Sequence, residues 1–136
     1  MDIEYICNMI FGIGIDTIEV RRIRQTMEQY GLQFIERIFG ENEIAYCQSR
    51  AKKYEHFAAR FAAKEAFAKA LGTGVRRGFR WKEVTVHNAY SGKPSIELTG
   101  SMIETAAKII GAKYQVQLSL THTAEIAEAT AIIEVI

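Results

Sequence analysis

Glu65 and Lys69 stand four residues apart in the run Arg60-Phe61-Ala62-Ala63-Lys64-Glu65-Ala66-Phe67-Ala68-Lys69-Ala70-Leu71, which closes on Gly72-Thr73-Gly74. That spacing puts an acid and a base on one face of a helix, and the alanines between them are small enough to let another element come close. From Arg50 to Lys82 ten basic residues stand against two acids, Glu55 and Glu65; this local +8 sits in a chain of total charge +1, so the remainder carries −7. A positive field around one carboxylate, beside a glycine-rich helix end, suits a polyphosphate held with a divalent cation. Asp16 supplies a second carboxylate. Two converging carboxylates suffice for Mg²⁺, which fills its other positions with waters and substrate phosphates. Lys69 can neutralise charge on a transferred or departing phosphate.

Each of these residues also has an ordinary reading. Asp16 can cap a helix, Glu65 and Lys69 can form a helix ion pair of about 0.2–0.5 kcal/mol, and Gly72 can merely stop a helix. His122 can be a turn histidine, and Val20-Arg21-Arg22-Ile23-Arg24 a solvated helix face.

The elements that must position them follow from the hydrophobic pattern. Ile10 to Ile15 reads as a short buried strand with Asp16-Thr17 as a helix cap. A helix follows over 18–30, with Ile18, Val20, Ile23, Met27 and Tyr30 inward and Arg21, Arg22, Arg24 and Glu28 outward. Short helices are expected over 32–39 and 41–50, and the longest over 54–71. Beyond a loop to Arg80 the period changes to two. Strands are expected from Trp81 to His87 and over 95–98, joined through Tyr90-Ser91-Gly92-Lys93-Pro94. A helix over 101–110 ends at Gly111, and strands over 114–120 and 129–135 are antiparallel because their connection is short. The class is α+β: an antiparallel sheet packed with one long helix and shorter ones.

The 136 residues fit one domain. Met9 opens the structured pattern, so residues 1–8 are read as an amino-terminal extension and 9–136 as the domain. With 49% hydrophobic and 24% charged residues the chain is neither disordered nor collagen-like. Cys7 and Cys47 have no metal-ligand spacing, and reduced thiols in a cytoplasmic protein are expected. There is no secretory n-region and no apolar run long enough for a membrane span. Gly12-x-Gly14 lacks the third glycine of a dinucleotide site, and no phosphate-loop, His-Glu-x-x-His, Cys-x-x-Cys or Gly-x-Ser-x-Gly motif occurs.

Gly12-Ile13-Gly14-Ile15-Asp16 with Arg22-Ile23, Arg60 to Ala70, Gly72-Thr73-Gly74, Gly92-Lys93-Pro94 and Ser119-Leu120-Thr121-His122-Thr123 occur in this order. Together they resemble the motif set of the holo-acyl-carrier-protein synthases, the short bacterial branch of the 4′-phosphopantetheinyl transferases. The resemblance spans about Met9 to Val135 and leaves residues 1–8 outside. It implies transfer of the phosphopantetheinyl arm of coenzyme A to a serine of apo acyl carrier protein, releasing adenosine 3′,5′-bisphosphate and supporting fatty acid biosynthesis. Carried over, Asp16 and Glu65 hold Mg²⁺ and Lys69 steadies the bridging or leaving oxygen. The serine proton goes to Glu65 or to a water oriented by an acid. Lys64, Gly72, Thr73, Pro94, His122 and Thr123 are candidates for holding coenzyme A. Acyl carrier proteins are acidic, so Arg22, flanked by Arg21 and Arg24, is the candidate contact for the carrier. The family's compact members are homotrimers with sites between subunits, which leaves open whether Asp16 faces Glu65 of its own chain or of a neighbour.

A second class of reading is a non-catalytic module that grips nucleic acid or a phosphorylated partner through the +8 segment. No nucleic-acid module is signalled, and aromatics are not interleaved with the basic run as in a stacking platform. The transferase reading is preferred, with no nucleic-acid partner.

Overall fold

The computed structural model describes residues 9–76 and 78–136; the expected extension over residues 1–8 lies outside them. Strand β1 (Met9–Glu19) alternates faces, with Gly14 and Asp16 buried while Ile13, Ile15 and Thr17 are exposed. The strand runs beyond the expected Ile15 because it pairs antiparallel with β5 (Ile126–Val135) as far as Glu19 opposite Ile126. Helix α1 (Val20–Tyr30) therefore starts two residues later than expected, and its capping position is Glu19, which makes no side-chain cap bond. Asp16 is thus a mid-strand residue and not a cap.

Helices α2 (Leu32–Ile38), α3 (Glu41–Gln48) and α4 (Lys53–Leu71) follow. A single 3₁₀ turn over Trp81–Glu83 stands where a strand was expected to begin, so β2 (Val84–Asn88) starts late and forms a hairpin with β3 (Pro94–Leu98). Helix α5 (Ser101–Ile110) and strand β4 (Tyr114–His122) complete the chain before β5. The main sheet has the order β1-β5-β4, antiparallel throughout, and β2-β3 is a separate ribbon. The α+β expectation holds.

Thirteen of the nineteen residues of α4 are buried, so this helix has no solvent face of ordinary width. It runs between two cores. Its carboxyl half packs with α5, β2 and the inner face of the sheet around Phe67, Val84, Met102 and Ile133. Its amino half packs with α1, α2 and α3 around Ile23, Ile35, Phe39 and Phe57. A Cβ on Gly12 would overlap the carbonyl oxygen of Ala70, and one on Gly14 that of Ala66. Glycine on the strand and alanine on the helix therefore let the two backbones touch, antiparallel to each other.

Cys47 is fully buried, and loss of solvent pushes its thiol up to about 11, which makes it a packing residue rather than a nucleophile. Among the described residues no helix is long and apolar enough to cross a membrane.

Candidate functional site

The contact of Gly12 and Gly14 with α4 sets what comes next on the same strand face, Asp16. It is buried, at 9% relative exposure, and meets the helix at Glu65 and Lys69. Lys69 Nζ donates to Asp16 Oδ1 at 3.1 Å and to the carbonyl oxygen of Ile15 at 2.9 Å, while half of its side chain stays exposed. Two of the ammonium's three donors are thus used and one remains available. Asp16 and Glu65 line one cavity of about 350 Å³ with Arg22, Thr26, Phe34 and Phe61. Both carboxylates belong to the same chain.

Glu65 is held up at about 7, first by burial, then by the charge of Asp16 and a hydrogen bond with it; Lys69 and Arg22 pull the other way. Two acids this close cannot both ionise freely without a cation between them. Among the described residues no group of three or more His, Cys, Asp or Glu could enclose a metal. A pair of carboxyls that disfavour each other's ionisation, with open space beside them, is a fit for a hard cation that takes its remaining oxygens from water and substrate, as Mg²⁺ does, and not for zinc.

The other expected site residues do not gather in this cavity. Lys64 is the clearest correction. It has no exposed surface, and its ammonium donates to Glu43 Oε1 at 2.7 Å, Ile38 O at 2.8 Å and Trp81 O at 2.9 Å. All three donors are spent inside the protein, so Lys64 cannot hold coenzyme A; it ties α2, α3 and the 3₁₀ turn to α4. Gly72 closes α4 at φ 87° with its N–H on Lys69 O. Thr73 lines a small cavity of about 110 Å³ with Gly74 and Arg76. Pro94 begins β3 opposite Asn88. His122 ends β4 and Thr123 follows it, beside the amino end of α4, where His122 Nδ1 meets Glu55 Oε1 at 2.9 Å. From Glu55 to Gly72 the helix spans about 25 Å at about 1.5 Å per residue. The candidates for holding coenzyme A are therefore spread along α4 and do not converge within one chain. Of the arginines, Arg22 lines the Asp16 cavity, whereas Arg21 pairs with Glu19 at 3.6 Å and Arg24 with Glu28 at 2.9 Å on the open face of α1.

Two buried acids escaped the sequence reading. Glu43 accepts from Gly40 N–H, Lys64 and Val86 N–H. The spacing Gly40-x-x-Glu43 at a helix start was a usable signal, since an acid at that position reaches back to the cap. Glu55 and His122 lie 67 residues apart, and nothing local to either announces the other.

Residues 12–127 match the model of the 4′-phosphopantetheinyl transferase superfamily. A holo-[acyl-carrier-protein] synthase of Solibacter usitatus is 48% identical over 126 residues, 93% of this chain and 99% of that protein. The chain belongs to this family. Solved holo-acyl-carrier-protein synthases share its fold. The Neisseria meningitidis structure has a TM-score of 0.81 at 31% identity, covering 92% of this chain and 98% of its own. The Bacillus anthracis structure, a complex with CoA (3′,5′-ADP), has a TM-score of 0.77 at 35% identity, covering 94% and 99%. The residues matched by the family model, 12–127, include Asp16, Glu65 and Lys69.

Proposed function

We infer that this chain is a holo-acyl-carrier-protein synthase that transfers the 4′-phosphopantetheine arm of coenzyme A to a serine of apo acyl carrier protein. Adenosine 3′,5′-bisphosphate is the other product, and the holo carrier serves fatty acid biosynthesis in the cytoplasm. The observation that carries the reading is the Asp16–Glu65 pair in one cavity with Lys69 fixed beside it, in a chain 48% identical to a relative of that name.

Asp16 and Glu65 are the residues that would hold Mg²⁺. Bound there, the ion supplies charge neutralisation for the pyrophosphate of coenzyme A. The chain's own groups do the rest. Lys69, anchored by Asp16 and Ile15 O, turns its remaining donor toward the bridging or leaving oxygen, where negative charge grows as the phosphorus–oxygen bond breaks. The serine oxygen bonds to the β-phosphorus, and its proton passes to Glu65 or to a water oriented by one of the two acids. Arg22, exposed and lining the cavity, is the contact for a carrier's acidic surface in this reading, with Arg21 and Arg24 exposed on the same helix.

Self-association completes the site in this reading. Ile13 and Ile15 are 62% and 54% exposed on the outer face of β1, an apolar row on an edge strand, and the candidates for holding coenzyme A are strung along α4 rather than gathered in one cavity. A homotrimer brings the ends of neighbouring α4 helices to shared sites.

Intact-mass spectrometry of an apo acyl carrier protein incubated with the enzyme, coenzyme A and Mg²⁺ tests the reaction. A gain of one phosphopantetheinyl group, abolished by chelator, is expected. No gain with several carriers would leave the chain an anion-binding member of the family without this activity.

A further inference from the structure

His122 is held from three directions. Glu55, a buried acid in the first turn of α4 at 9% relative exposure, places Oε1 2.9 Å from His122 Nδ1. His56, the next residue, meets the His122 ring edge-on, with centroids 5.0 Å apart and planes at 64°. Thr123 locks the backbone just beyond: its hydroxyl accepts from the N–H groups of Glu125 at 3.2 Å and Ile126 at 3.1 Å, and its own N–H donates to Ile126 O at 2.8 Å. The ring itself is partly exposed, and among the described residues its Nε2 has no hydrogen-bond partner. An acid in a first helical turn is ordinary for the helix dipole. What is not ordinary is a buried carboxylate whose oxygen is spent on a histidine of another element, leaving the far nitrogen free.

We propose that Glu55 is a positioning residue for His122: it accepts Nδ1–H, fixes tautomer and ring plane, and so aims Nε2 at a phosphate oxygen of coenzyme A. The proposal rests on the reading given above, in which coenzyme A is the substrate. A carboxylate accepts only, so it keeps the proton on Nδ1 in the neutral ring. A phosphate oxygen also accepts only, so the ring that meets it carries a second proton on Nε2, and the Glu55 carboxylate then balances the imidazolium from behind. The logic is that of a histidine oriented by the partner of its other nitrogen.

The test uses ¹⁵N–¹H correlation of the histidine side chains in the full-length protein without substrate, then steady-state kinetics, for wild type, Glu55→Ala and Glu55→Gln. Wild-type His122 should carry its proton on Nδ1, and Glu55→Ala should move it to the Nε2–H form that an unpartnered imidazole favours. The KM for coenzyme A should rise about tenfold in Glu55→Ala, the loss of a hydrogen bond to a charged group, with kcat little changed. Glu55→Gln, which keeps the acceptor and loses the charge, should fall between the two, and it carries the test if the alanine variant does not fold. A bare Nδ1 in the wild type, or variants with unchanged KM in an active enzyme, overturns the proposal and leaves the reaction standing. A wild type that neither transfers the arm nor binds coenzyme A in calorimetry sinks both.

Discussion

Lys69 Nζ lies 3.1 Å from Asp16 Oδ1, a residue 53 positions away, and is not engaged by Glu65 one turn back on its own helix. The pairing ties strand to helix at the point where the two carboxylates face each other. Replacement by methionine removes a charge that pulls Glu65 down. In Lys69→Met the Glu65 carboxyl should therefore titrate above about 7, read by ¹³C NMR, and kcat should fall by about 10²–10³, as when one preorganised donor to a developing oxyanion is lost. Mg²⁺ affinity, measured by calorimetry, should be kept or increased, since a competing cation has gone. A loss of Mg²⁺ binding would contradict this division of roles.

Gly14 is where β1 and α4 touch, and an added methyl would collide with the backbone of Ala66. Backbone cannot give way as a side-chain end can. Gly14→Ala should cost about 1–3 kcal/mol in denaturant unfolding, in the range of core overpacking. It should also lose more activity than its folded fraction accounts for, because Asp16 is carried away from Glu65. Activity that tracks the folded fraction alone would show that the close approach serves stability only.

The raised Glu65 gives a pH dependence whose sign is fixed. Its ordinary value is 4.5 and its folded value about 7, so the folded state binds this proton more tightly than the unfolded chain. The resulting stabilisation is complete below 4.5 and is lost as pH rises through about 7. Chelated protein should therefore lose stability from this group over that window, and saturating Mg²⁺ should oppose the loss at its upper end by binding the ionised pair. A Glu65→Gln variant should lack this component. If wild type and Glu65→Gln show the same pH profile when chelated, the carboxyl pair is not strained as described.

Lys64→Met separates a structural lysine from a ligand-holding one. The Lys64–Glu43 pair is closed to solvent, at 0% and 1% side-chain exposure. Removing the lysine leaves Glu43 buried without its cation, at a cost of about 3–5 kcal/mol. The folded fraction should keep the wild-type KM for coenzyme A. A specific rise in that KM at wild-type stability would restore Lys64 to the binding site.

The motif order and the periodicity carried most of this in the sequence. Glu65 and Lys69 were legible because four-residue spacing fixes their common face, and the alanine run announced a close approach before its partner was known; that Gly12 and Gly14 are that partner had no local sign. Gly72 and Gly111 ended their helices as their types demanded. Asp16 was misread as a cap because pairing of β1 with β5 carries the strand past Ile15 to Glu19 and outweighs the local capping preference of aspartate. Lys64 was misread for a different reason. A lysine in a basic run looks solvated, and only the arrival of Glu43, Ile38 O and Trp81 O from three separate elements makes burial tolerable. The Glu55–His122 contact is tertiary and has no local sign.

The most direct test of the site asks whether one chain supplies both carboxylates. Asp16→Asn and Glu65→Gln variants would be unfolded, mixed in equal amounts, refolded together and assayed by intact mass for phosphopantetheinylation of an apo carrier with coenzyme A and Mg²⁺. With both acids drawn from the same chain, every mixed assembly lacks one acid at every site, so the mixture should be as inactive as each variant alone. Recovery of a substantial share of wild-type activity on mixing would mean that Asp16 of one subunit serves Glu65 of another, and would contradict the geometry in which the two line a single cavity within one chain.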